Sequence, residues 1–128
     1  MSNNDGFAKR EEIDRLLETM GLQTVIFVGN SLGGSLALLL ALENPDRIAL
    51  VRSLDFRILS RYDQRLPAID IPTLLIWGEE DPWVRLPVGR RLDRDLPHST
   101  LRIIPHCGHA PQEELPEETA GLIIDWLA

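Results

Sequence analysis

The chain has 128 residues, with 13 Lys and Arg against 20 Asp and Glu for a formal net charge of −7; 44% of it is hydrophobic and 26% charged. That is the length and composition of one ordinary globular domain, 1–128. The acidic balance excludes nucleic acid and anionic membrane as partners, because both require a basic face.

Cys107 is the only cysteine, so no intrachain disulfide can form, which fits a reducing compartment. Met1-Ser2-Asn3-Asn4-Asp5 has neither the basic nor the apolar region of a signal peptide, and a cytoplasmic protein is expected. The most hydrophobic window, Leu22 to Leu42, is interrupted by Gly29-Asn30-Ser31 and Gly33-Gly34. A membrane span would have to bury that polar cluster in lipid, so none is expected.

The first predicted element is an amphipathic helix from about Phe7 to Met20. Ile13, Leu16, Leu17 and Met20 recur at helical spacing, with Lys9, Glu12, Arg15 and Glu18 elsewhere around it. Asn4 or Asp5 can cap its start, and Gly21 is placed to end it. Thr24–Val28 is a continuous apolar run, which predicts a strand buried on both faces of a parallel sheet. It leads through Gly29-Asn30-Ser31-Leu32-Gly33 into an almost wholly apolar helix that Asn44-Pro45 stops after Leu42.

Arg47–Ser53 predicts a second strand, and the polar stretch Phe56–Leu66 one short helix plus loop. Pro67 and Pro72 frame the approach to a third strand, Thr73–Trp77. After the loop Gly78–Pro82 come a helix, Val88–Leu96, and a fourth strand, Leu101–Ile104. The loop Pro105–Pro111 leads to a last helix, Pro116–Leu127, whose predicted apolar face is Ala120, Ile123, Ile124 and Leu127. Alternating strands and helices make an α/β fold: three layers, with a four-stranded parallel sheet flanked by helices and ligands at the carboxyl ends of the strands.

Three residues fall just past three of those strand ends. Ser31 sits in a G-x-S-x-G turn between strand and helix, where its hydroxyl stands clear of the sheet and its neighbours Gly29 and Gly33 must be small. A hydroxyl is a poor nucleophile at neutral pH and needs a basic partner, for which His109 is available. A carboxylate must then orient the histidine, and Asp81 follows the third strand. Asp55, past the second strand, is the alternative acid. His106, Cys107 and His109 form one cluster without a second, so no metal site is expected.

The segments Gly29-Asn30-Ser31-Leu32-Gly33-Gly34, Trp77-Gly78-Glu79-Glu80-Asp81-Pro82 and Cys107-Gly108-His109-Ala110-Pro111-Gln112 resemble the three signature segments of the α/β-hydrolase superfamily. The esterases and the carbon–carbon bond hydrolases of aromatic degradation are the most similar in character. The resemblance implies Ser31 as nucleophile, Asp81 as acid, His109 as general base and the Leu32 amide as one oxyanion donor. It implies hydrolysis of small carboxylic esters through an acyl-enzyme, with no cofactor.

The departures carry weight too. The family has an eight-stranded sheet, and here one helix alone precedes the serine strand. The turn that supplies the second oxyanion donor has no counterpart before Ser31, and a lid is absent or reduced to Phe56–Leu66. The chain thus resembles a truncated α/β-hydrolase, the carboxyl-terminal half of the fold. Two expectations follow. One is a non-catalytic or weakly active half-fold as the alternative function. The other is a homodimer that pairs the exposed edge strand, Thr24 to Val28, with its symmetry mate.

Overall fold

The computed structural model describes residues 5–23, 25–30, 33, 38, 40–42 and 63–128. Helix α1 spans Asp5–Thr19, two residues earlier at its start than the apolar spacing predicts. Gly21 ends it as expected. It takes φ 67°, and the amides of Gly21 and Leu22 donate to the carbonyls of Glu18 (3.1 Å) and Leu17 (3.0 Å). Those two bonds occupy carbonyls that the last turn leaves open, and the left-handed backbone they need costs glycine little.

The face of α1 differs from the expectation. Leu17 is buried and Ile13 packs on the core, whereas Leu16 and Met20 are exposed. Their spacing fits an apolar stripe, but the stripe that meets the core is narrower than the stripe in the sequence.

The sheet is built around β1, Thr73–Gly78, in which all six residues are buried. It pairs in parallel with β2, Ser99–Ile104, from Thr73 opposite Ser99 to Gly78 opposite Ile104. Successive side chains of a strand point to opposite faces, and β1 supplies one apolar layer on each side. Leu75 and Trp77 join Leu38, Leu40, Leu92 and Leu96. Leu74 and Ile76 join Ile104 and Cys107 beneath Leu115, Leu122, Ile123 and Trp126. The crossover between the strands is helix α2, Leu86–Asp95, which buries Leu92 and Gly89. The sheet therefore lies between helical layers, as the alternating pattern predicts.

Of the four expected strands, β1 and β2 form the described sheet. Arg47–Ser53 lies outside the described residues. Residues 25–30 are described, with Val25 in a single bridge. Burial of this segment on both faces is not what is found: Val25 and Phe27 pack against the core, while Ile26 and Val28 are each 51% exposed. A run that is apolar at every position carries no alternation to say which face is covered.

Most of the expected Phe56–Leu66 helix and loop also falls outside the described residues; a 3-10 helix follows at Asp63–Ala68, with Pro67 inside it and Leu66 buried.

The end of the chain forms two helices where the sequence predicts a loop and one helix. A short α3, Pro111–Glu114, precedes α4, Pro116–Leu127, whose bounds match the expectation. The face of α4 is rotated from the one predicted. Thr119 is buried and Leu122, Ile123 and Trp126 pack on the core, leaving Ile124 and Leu127 exposed. The Thr119 hydroxyl donates to the Pro111 carbonyl at 2.9 Å, which fixes α4 against α3.

Candidate active site

The parallel pairing of β1 and β2 brings their carboxyl ends together, and two loops leave side by side. Their backbones stay joined past the strands. Glu79 donates to the Ile104 carbonyl at 3.0 Å, and Glu80 to that of Cys107 at 2.9 Å. Gly78 makes this approach possible, because a Cβ there would collide with the carbonyl groups of Gly108 and Cys107. Trp77 stiffens the first loop by donating its indole N–H to the Val84 carbonyl at 2.8 Å.

Asp81 lies in the first loop, three residues beyond β1. Its Oδ1 accepts the amide protons of Trp83 and Val84, both at 2.9 Å, so the aspartate closes its own turn. Its Oδ2 lies 2.8 Å from His109 Nδ1 in the second loop. All three contacts ask the carboxylate to accept, the role an ionised carboxylate fills. Hydrogen bonding to a carboxylate puts the imidazole proton on Nδ1 and leaves Nε2 as the acceptor.

Both partners are withdrawn from water, with side-chain exposures of 5% for Asp81 and 13% for His109. The ring of Trp83 lies across that of His109, centroids 4.8 Å apart and planes tilted by 57°. Trp83 itself is 77% exposed, so it presents an apolar surface to solvent beside the histidine.

Asn30 and Gly33, on either side of the expected serine, are described. The Gly33 amide donates to the Asn30 carbonyl at 3.0 Å. The Asn30 side-chain amide reaches the His109 carbonyl at 3.4 Å and Gln112 Oε1 at 3.3 Å. Both contacts are long, so they speak to position more than to strength. They set the residue before Ser31 against the histidine loop.

Ser31, Leu32 and Asp55 themselves lie outside the described residues. Asp81 and His109 are thus the sequence-predicted site residues that the structure brings together.

Two contributors lie outside the motifs, and a third, Asn30, lies within one that does not announce its contact. Trp83 covers the histidine, Asn30 reaches the histidine loop, and Glu114 accepts from the amides of Gly108 (2.8 Å) and Ala110 (3.3 Å). Each acts through a contact between residues distant in sequence or through a loop conformation, and neither has a periodicity to betray it. Cys107 is fully buried in the core layer under α4.

Two open hollows of about 320 and 380 Å³ are lined by Glu114–Glu118 and by residues of the loop from Glu79 to Pro87, and neither includes His109.

The chain is similar to known hydrolases. The chain is 42% identical over 64 residues to the uncharacterized hydrolase YugF of Bacillus subtilis, covering 50% of this chain and 23% of that one. It is 38% identical over 66 residues to a 2-hydroxy-6-oxononadienedioate/2-hydroxy-6-oxononatrienedioate hydrolase of Pseudomonas putida, covering 52% and 23%. The match therefore spans about a quarter of the length of these relatives.

Among solved structures, an α/β-hydrolase enzyme from the metagenome of lagoon sediments at Mar Chica, Morocco, superposes with a TM-score of 0.86 at 25% identity, over 94% of this chain and 68% of that one. The family model described as alpha/beta hydrolase fold matches residues 6–60 and 52–116, most of the chain. The parallel sheet between helices fits that match: the chain belongs to the α/β-hydrolase fold family.

Proposed function

We propose that the protein is a serine hydrolase that cleaves small carboxylic esters through Ser31, His109 and Asp81. The observation that carries this reading is the 2.8 Å bond between Asp81 Oδ2 and His109 Nδ1 at the carboxyl end of the parallel strands.

In the proposed reaction His109 Nε2 takes the Ser31 hydroxyl proton as Oγ attacks the ester carbonyl. Asp81 holds the ring and stabilises the imidazolium that forms. The tetrahedral intermediate collapses, the alcohol leaves with the proton from Nε2, and water then releases the acid by the same steps in reverse roles. The Leu32 amide serves as one oxyanion donor. Removing one such donor from an oxyanion hole costs about 10²–10³ in turnover.

Hydrolysis of p-nitrophenyl acetate tests the proposal directly. Ser31→Ala should lower turnover by about 10⁴–10⁶ relative to the parent. Equal rates from the two proteins end the serine-hydrolase reading.

A second reading has one observation in its favour, the similarity to the Pseudomonas putida oxononadienedioate hydrolase. In that reading the same residues hydrolyse a carbon–carbon bond next to a ketone. Turnover of a 2-hydroxy-6-oxo dienoate in preference to p-nitrophenyl acetate would favour it.

Association belongs to the same proposal. The 51% exposure of Ile26 and Val28 supports a two-fold pairing of the segment around 24–28 with that of a second copy.

A further inference from the structure

The two loops of the site are held in different ways. Asp81 fixes its own loop through the amides of Trp83 and Val84. In the histidine loop His106 takes φ 55°, and Gly108 and Ala110 on either side of His109 are in neither helix nor strand. Irregular backbone of this kind is held in place more firmly where an acceptor occupies its amides.

The side chain of Glu114 does so. Oε2 accepts the Gly108 amide at 2.8 Å and Oε1 accepts the Ala110 amide at 3.3 Å. The two donors are the residues immediately before and after His109, so one carboxylate straddles the backbone of the histidine. Glu114 is itself anchored, because its own amide donates to the Ala110 carbonyl at 2.9 Å at the end of α3. The loop leaves room for it as well. A Cβ on Gly108 would stand 2.8 Å from Glu114 Oε1, so a larger residue there would press on the carboxylate.

We infer that Glu114 is a positioning residue for His109, acting through the backbone on both sides of it. This rests on the proposed role of His109 as general base. Asp81 sets the direction of the imidazole through Nδ1, and Glu114 sets where the ring's Cα stands. Together they fix the point that Nε2 reaches. Glu114 touches neither the substrate nor the reacting atoms in this scheme, so its loss should lower turnover and leave substrate affinity nearly unchanged. A misplacement of about 1 Å at a catalytic group costs on the order of a hundredfold.

The test compares the parent with Glu114→Ala and Glu114→Gln, reading both ester hydrolysis and the downfield imidazole Nδ1–H proton resonance in NMR, assigned by its loss in Asp81→Asn. In Glu114→Ala, kcat should fall by roughly ten- to a hundredfold with KM within about twofold, and the resonance should broaden or vanish while amide dispersion is kept. Glu114→Gln retains one acceptor oxygen and should fall between the two, which keeps the test open if the alanine variant does not fold. A Glu114→Ala protein that keeps both the resonance and kcat overturns the inference. The resonance is read without substrate. A parent that shows it and loses it in Glu114→Ala, yet hydrolyses no ester, therefore refutes the proposed function and upholds the positioning of His109.

Discussion

Two apolar segments of this chain invite comparison, Val25–Val28 and Thr73–Gly78. Their sequences, Val-Ile-Phe-Val and Thr-Leu-Leu-Ile-Trp-Gly, are both mostly apolar, the first at every position. Yet β1 is buried at every residue, whereas the earlier segment partly buries Val25 and Phe27 and leaves Ile26 and Val28 half exposed. The difference lies in what covers them. β1 has α4 over one face and the cluster of Leu38, Leu40 and Leu92 over the other. Residues 25–28 share the second cover, through Val25 and Phe27, and lack full cover on the first. Hydrophobic stabilisation follows the area removed from water, so the more apolar segment contributes less per residue than its hydropathy suggests.

The site follows the same division. Asp81 and His109 extend from β1 and β2, the better covered strands, and their hydrogen bond is short and shielded. Asn30 follows the less covered segment, and its contacts to the histidine loop and Gln112 are long.

Three substitutions test the contrast, taken in order of expected size. Asp81→Asn should lower ester hydrolysis by about 10⁴ with little loss of fold. An asparagine Oδ1 can still accept from Trp83 and Val84, but its NH₂ would face His109 Nδ1 and impose the wrong tautomer. Rates within tenfold of the parent would show that another carboxylate, with Asp55 the candidate, orients the histidine.

Next is Leu75→Ala, in the middle of β1, where the side chain is fully buried. Chemical denaturation should show a loss of about 2–5 kcal/mol. A loss below 1 kcal/mol would mean that the core around β1 collapses onto the gap far more readily than packed cores do.

The smallest effect is expected from Ile26→Lys. At a half-exposed position it should change stability by less than about 0.5 kcal/mol, as surface substitutions usually do. If a second copy pairs with this edge, the same substitution should shift the mass in light scattering from dimer to monomer at micromolar concentration. A monomeric parent removes the dimer from the proposal.

Much of the fold was legible in the sequence, and the reasons are local. Gly21 after a helical spacing announced the end of α1, and Pro72 and Gly78 bracket β1 almost to the residue. The predicted span of α4 holds because Pro116 can only begin a helix there. The faces were less legible. α1 and α4 carry more apolar residues than either can bury, so the spacing admits more than one stripe. Packing selected Leu17 over Leu16, and Leu122 with Trp126 over Ile124 with Leu127.

The sequence by itself determined the residue types and their order: a serine in a glycine-bracketed turn, then an aspartate and a histidine, each just past an apolar run. Those are matters of composition and neighbour spacing, which the backbone reads over a few residues. The tertiary structure alone decided that Asp81 and His109 meet at 2.8 Å, that Trp83 covers the histidine and that Glu114 grips the backbone around it. Asp81 and His109 are 28 residues apart in the chain. What brings them together is the parallel register of β1 and β2 and the space that Gly78 leaves for the loop to cross.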